Sequence, residues 1–457
     1  MKDNKTNVFV KKLLTLVMPI AFQQFMLALV SASDAIMLGV LTQDALSAVS
    51  LASQITFVEN LFLAAMTIGL SMLAAQYWGK KDKAAVERIF AYVMKITTAI
   101  AFVFFISASC FPKGLMRIFT DEQPLIDGGA VYLRTVSLSF LLTGISQIYL
   151  CALKNCGKAG NSSIISSTSV AVNLVLNAVL IFGLFGIPRM EIAGAALATV
   201  LSRVIAVIWC ILETAKKDSV KLRFHNIIHD DKLLRRDFWK YTSPVLGNEI
   251  VWGVGFTMYS VIMGHLGSDA VAANSIANIA KNLIACFCLG VASGGGIMVG
   301  NELGAGELET AKEYGGKLCK IAIVSGCISG AVLFALSPVI INIAKLSETA
   351  TEYLKIMFIV CALNMIGYSV NCTTISGIFC SGGDSKFGLC CDSVVMWCIT
   401  VPLGLISAFL LKLPVVWVFL IVNLDELLKL PAVYRHYKKY NWVKDLTVKE
   451  RAENSGV

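Results

Sequence analysis

Twelve stretches of this chain run for about 20 residues or more with few charges among them, the length at which an α-helix crosses the hydrocarbon core of a bilayer. They fall at roughly 13–41, 48–78, 89–111, 131–153, 163–186, 192–214, 241–266, 272–300, 316–338, 353–380, 387–411 and 414–434. A backbone in hydrocarbon must satisfy its own hydrogen bonds, so such stretches become helices. Composition agrees. Only 15% of the 457 residues are charged, against about 25% in soluble domains, too few to cover a water-facing surface. The first stretch also outruns the short apolar core of a cleavable signal peptide. The expectation is an all-α integral membrane protein that binds the lipid bilayer along its whole flank.

The net charge of +9 raises nucleic acid as a partner. That requires a basic face, and the Lys and Arg here are scattered through short loops, so no nucleic-acid partner is expected. The 14 Cys lie mostly in apolar runs without paired C-x-x-C sets, and read as small hydrophobes rather than zinc ligands or disulfides. The bodies of the spans lack a His cluster or Ser–His set, so no enzyme and no cofactor are expected.

An even number of spans places both termini on one side. That side carries 28 Lys and Arg in its loops and the other carries 5, which predicts a plasma-membrane protein with both termini cytoplasmic. The longest polar stretch, 215–240, lies at the midpoint and reads as a cytoplasmic linker. It divides the chain into a lobe at 1–214, a second lobe at 241–435 and a cytoplasmic tail at 436–457.

The two lobes are one unit repeated. Laid against itself at a single constant offset, the chain places Pro19 on Pro244, Gly39 on Gly264, Asp44 on Asp269, Ala48 on Ala273, Gly69 on Gly294 and Gly79 on Gly304. A repeat of six spans preserves orientation, so twelve transmembrane helices should form two pseudo-symmetric six-helix bundles, parallel repeats about an axis along the membrane normal. Such halves move against each other in alternating access.

Ionisable groups within spans are costly and are functional candidates by default. Asp34 lies about 10 Å inside span one, at 1.5 Å per residue from its outer end. Asn173 and Asn177 share a face of span five, and Thr199 stands at similar depth in span six. Together these oxygens could form a proton or hard-cation site, including a Na⁺ site. In the repeat Asp34 falls on Tyr259, and the Asn pair has no counterpart, so this chemistry belongs to one half. The structural alternative is a polar clamp between helices. Glu249 in span seven falls on Gln24 of the first half; with Tyr259 and Glu59 these are candidates for a substrate cavity. Pro19 and Pro244 lie inside spans and can bend them. Asp392, Asp425 and Glu426, with Lys429 as partner to the last two, read as structural. Most of the Met and Phe side chains are expected at the lipid face.

The runs GLSMLAAQYWGKKDKAAVERI (69–89), GVASGGGIMVGNELGAGELETAKEY (290–314), SASDAIMLG (31–39), VNLVLNAVLIFG (172–183), GAALATVLSR (194–203) and FCSGGDSKFG (379–388) resemble the multidrug and toxic compound extrusion (MATE) transporters. The resemblance covers essentially the whole chain. It implies a secondary active antiporter that exports amphipathic, cationic organic compounds or drugs in exchange for H⁺ or Na⁺; a monomer is the expected state. It also implies cation coupling at the helix-one aspartate, matched by Asp34, with polar partners matched by Asn173, Asn177 and Thr199. Some members carry Asp where this chain has Asn177, which leaves a single formal charge and leans the site toward the proton. A rival activity within the same superfamily is export or flipping of a lipid-linked or polar metabolite.

Overall fold

The computed structural model describes residues 2–39, 43–216, 219–228, 231–344 and 346–447. Among them every regular element is helical. Two long helices open the chain, α1 (Lys2–Gly39) and α2 (Gln43–Gly79), followed by α3 (Lys83–Cys110), the short α4 (Pro112–Met116), α5 (Gln123–Asn155), α6 (Ala159–Phe182) and α7 (Glu191–Ala215). A one-turn α8 (Phe224–Ile228) precedes α9 (Lys232–Gly264), α10 (Ser268–Gly304), α11 (Leu308–Ala344) and α12 (Glu348–Asn371). Helix α12 continues through π-helical turns at Cys372–Phe379. The next span begins as α13 (Ser385–Asp392) and runs through π-helical turns and the short α14 (Val401–Leu405) to Leu410. The chain closes with α15 (Val415–Val422) and α16 (Asp425–Tyr437).

Among the described residues, 11 helices are long and apolar enough to cross a membrane. This is a multi-pass membrane protein. The twelfth expected span, 414–434, is divided at Asn423 and Leu424 into α15 and α16, and a charged cluster lies just beyond the break. There Lys429 Nζ lies 2.8 Å from Asp392, 3.5 Å from Asp425 and 3.6 Å from Glu426. Lys429 is only 2% exposed, and Asn371 Nδ2 donates to both the side chain and the carbonyl of Glu426 at 2.7 Å. A buried charge needs partners of this kind.

The chain forms two compact units. The first comprises Met26–Ala74 and Asp82–Arg236; the second comprises Met1–Phe25, Ala75–Lys81 and Asp237–Val457. In the first unit, Asp82 caps α3 by accepting from the Ala85 amide at 2.9 Å, and α6 ends at Gly183 with φ +73, a left-handed turn that suits glycine. Much of 215–240 packs onto this unit. Buried Glu87 accepts from the Lys221 amide at 3.1 Å and pairs with Arg223 at 2.8 Å, while Ser219 bonds the Glu213 carbonyl at 2.9 Å.

In the second unit the internal repeat becomes a physical contact. A Cβ on Gly79 would stand 1.9 Å from the Asn301 carbonyl oxygen, and one on Gly304 would stand 1.9 Å from the Gln76 carbonyl oxygen. The offset that lays Gly79 on Gly304 also lays Gln76 on Asn301, so the repeat turns either contact into the other. The end of α2 and the end of α10 therefore touch reciprocally, backbone to backbone, as a pseudo-two-fold relation requires. Gln76 is fully buried and also holds the chain after α16: its Nε2 donates to the carbonyls of Ser381 and Lys444 at 2.7 and 3.1 Å, and its Oε1 accepts from the Leu446 amide at 2.7 Å. Trp442 is also fully buried, stacked on Tyr437 at 5.6 Å. Residues 438–447 are thus a packed part of this unit.

The outer surface is apolar, as contact with lipid demands, with Val103, Leu212, Ile343 and Leu363 exposed. Methionine departs from expectation. Met66, Met72, Met94, Met116, Met263, Met298, Met357, Met365 and Met396 are all buried, because a flexible unbranched side chain fills gaps between irregularly packed helices. The phenylalanines divide: Phe90, Phe140 and Phe358 are core, and Phe102, Phe334 and Phe409 are exposed.

Candidate functional site

The first unit encloses a cavity of about 670 Å³, within the range of about 300–1,000 Å³ usual for small-molecule sites. Leu27 and Val30 of α1 supply apolar wall, and α2 supplies Ser53, Gln54, Phe57 and Asn60. Tyr132, Thr143 and Gln147 come from α5, Ser169 and Asn173 from α6, and Thr199, Ser202 and Arg203 from α7. Five long helices thus contribute, each of the last four with polar residues three or four apart and so on the face turned toward its neighbours.

On one wall the predicted polar residues form a directed chain. Asn177 Nδ2 donates to Asn173 Oδ1 at 3.2 Å, Asn173 Nδ2 donates to Thr199 Oγ1 at 3.4 Å, and the Thr199 hydroxyl donates to the Ala195 carbonyl at 3.0 Å. Asn173 is 5% exposed and Asn177 1%. A further bond ties α6 to α7, Ser169 Oγ donating to the Ser202 carbonyl, while Ser202 Oγ donates within α7 to the Thr199 carbonyl, both at 2.8 Å. Asp34 stands on α1 in the same unit, and its side chain lies outside the described residues.

The remaining candidates separate. Glu59 on α2 is 1% exposed and belongs to this unit; it does not line the cavity, although Phe57 and Asn60 beside it do. Gln24, Glu249 and Tyr259 belong to the other unit. There Glu249 is half-buried, with Asp392 as the charge acting on it. The Tyr259 hydroxyl is 2.5 Å from Thr400 Oγ1, which itself donates to the Met396 carbonyl at 3.2 Å. Pro19 and Pro244 stand inside α1 and α9, which both continue as helix through them. Among the described residues no cluster of His, Cys, Asp and Glu could hold a metal ion.

Of the polar lining residues only Asn173 and Thr199 were singled out by sequence reasoning; Gln54, Asn60, Gln147 and the charged Arg203 are among those missed. Arg203 follows Thr199 by four positions and so shares its helical face, the signal that could have identified it.

The family model for MatE matches residues 19–179 and again 244–406, one copy on each side of 215–240. The chain belongs to the MatE family. Among its relatives, the uncharacterized transporter YisQ of Bacillus subtilis is 21% identical over 94% of this chain and 94% of its own length. The probable multidrug resistance protein NorM of Listeria innocua is 25% identical over 75% of this chain and 77% of its own. Among solved structures, the Vibrio cholerae MATE transporter VcmN in its bent form superposes with a TM-score of 0.85 at 13% identity, covering 97% of this chain and 99% of that one. A MOP superfamily transporter from Pyrococcus furiosus gives a TM-score of 0.85 at 16% identity over 94% and 95%. These structures share the fold: two bundles with twelve spans in all, the pattern of the internal repeat.

Proposed function

We propose that this MatE-family chain is a secondary active antiporter that exports amphipathic organic compounds in exchange for an inward-moving cation, H⁺ or Na⁺. The observation that carries the reading is the polar ladder Asn177–Asn173–Thr199, whose Asn173 and Thr199 line a drug-sized cavity, in the unit that also contains Asp34. Asp34 is the coupling residue in this reading. A bare carboxylate is costly in the membrane, so it crosses between states neutralised by a bound cation. The Asn173 oxygen and the Thr199 hydroxyl are already engaged along the ladder, which supports H⁺: a proton needs one carboxylate, whereas a metal ion needs several free oxygens. Entry of one charge down a potential of about 100 mV supplies about 2.3 kcal/mol, enough for roughly a fiftyfold gradient of a neutral solute.

In the same reading both termini and 215–240 face the cytoplasm, the lobes at 1–214 and 241–435 are the alternating halves, and Pro19 and Pro244 mark where α1 and α9 bend. Everted vesicles carrying the protein, energised separately with a pH gradient and a sodium gradient, test the whole. Accumulation of a fluorescent amphipath under either gradient is the expected result. Equal accumulation in vesicles with no gradient would refute antiport.

A further inference from the structure

The arrangement around Arg203 restricts which amphipathic compounds fit. Arg203 lines the cavity in the first unit, one turn along α7 from Thr199. Among the described residues it makes no hydrogen bond and no ion pair within 4.0 Å, and the acid among them that acts on it is Glu59. Glu59 lies 1% exposed outside the cavity lining, and its Oε1 has no hydrogen-bond partner. The acid therefore acts on Arg203 without occupying its donors. A guanidinium presents five N–H groups in a rigid fork matched to a carboxylate, and such groups, once buried, seek acceptors. Around it the side-chain amides of Gln54, Asn60 and Gln147 also line the cavity without protein hydrogen bonds among the described residues, while Leu27, Val30 and Phe57 supply apolar wall.

We propose that Arg203 is a specificity-determining residue that selects amphipathic substrates bearing a carboxylate, zwitterions included, by a two-pronged hydrogen bond into this cavity. One guanidinium answers one negative charge, which favours a monoanion over a phosphate. The inference rests on the transporter reading above and departs from the purely cationic substrate that the sequence resemblance implies. Glu59 then sets the strength of the grip: it competes electrostatically with the incoming carboxylate for the same cation.

Matched pairs of probes test this on the purified full-length protein: N-dansyl-phenylalanine with its carboxamide, and 1-naphthylacetate with 1-naphthylacetamide, titrated by fluorescence. The carboxylates should bind about ten- to hundredfold more tightly than their amides, the value of a charge-assisted pair of hydrogen bonds. Arg203→Gln should remove that advantage while leaving amide binding in place. Arg203→Lys should retain part of it, because it keeps the charge and loses the fork. Glu59→Gln should strengthen carboxylate binding. If Arg203→Gln folds poorly because Glu59 is left unbalanced, the double variant with Glu59→Gln removes that charge and gives the same comparison. The proposal fails if no carboxylate binds better than its amide, or if Arg203→Gln weakens both alike. Gradient-driven movement of the probes in vesicles separates the two claims. Transport without carboxylate preference defeats only the role of Arg203, and carboxylate preference without transport under either gradient defeats only the antiporter reading.

Discussion

Replacing Lys429 by methionine removes the centre of the buried charge cluster in the second unit. The ammonium lies 2.8, 3.5 and 3.6 Å from three carboxylates, with Lys429 2% and Asp392 and Asp425 each 6% exposed. At an effective dielectric of about 20, each contact is worth about 5 kcal/mol of gross attraction. Most of this is offset by desolvation and by repulsion among the acids. Deleting one member of a buried ion pair costs about 3–5 kcal/mol, since the partner charge stays buried and uncompensated. Three acids depend on this lysine, so the upper part of that range applies. A loss of this size lowers the thermal midpoint by roughly 10 °C for a unit of this length. Thermal unfolding of purified Lys429→Met in detergent, followed by thiol-reactive dye on the buried Cys residues, reads the shift. Adding Asp392→Asn should return part of the loss, because it removes one of the stranded charges. An unchanged midpoint in Lys429→Met would show that the cluster is not held by its charge.

Three further outcomes follow from the packing and the charge pattern. Gly304→Ala places a methyl group 1.9 Å from the Gln76 carbonyl oxygen and should cost about 1–3 kcal/mol, whereas Gly264→Ala, with open space around it, should be near neutral; equal melting temperatures would dismiss the reciprocal contact. Trp442→Ala should destabilise by about 3–5 kcal/mol and expose 438–447 to limited proteolysis, and continued protease resistance would mean this segment is held elsewhere. A single Cys at position 225, in a background without other Cys, should react with an impermeant maleimide only from the cytoplasmic side, and labelling of intact cells would reverse the topology.

The fold was legible wherever hydropathy or the repeat spoke. Span lengths identified the helices, and the constant offset between the two lobes paired Gly79 with Gly304, which prove to face each other's helices. The Asn173–Asn177 spacing on α6, with depth counting for Thr199, found three members of one hydrogen-bonded chain, since helical periodicity fixes faces. Three features were not legible. The ion pair of Lys429 with Asp392 reaches into the preceding span, and a local hydropathy window does not register such a pairing. The docking of Lys444 and Leu446 depends on Gln76, which belongs to the second helix of the chain, and nothing in a polar tail announces it. Arg203 is a lone cation within a span, and only its helical face, shared with Thr199, points to its place in the cavity.

The central claim is that export is coupled to a cation through Asp34. It is tested most directly in proteoliposomes containing wild-type protein or Asp34→Asn, with transport of a fluorescent amphipath followed while an imposed pH or sodium gradient is switched on and then collapsed. Asparagine preserves shape and hydrogen bonding and removes the switchable charge. The account predicts that the variant folds, melts near the wild-type temperature and still binds the amphipath, yet gains nothing from either gradient. Full gradient-driven transport by Asp34→Asn would contradict it.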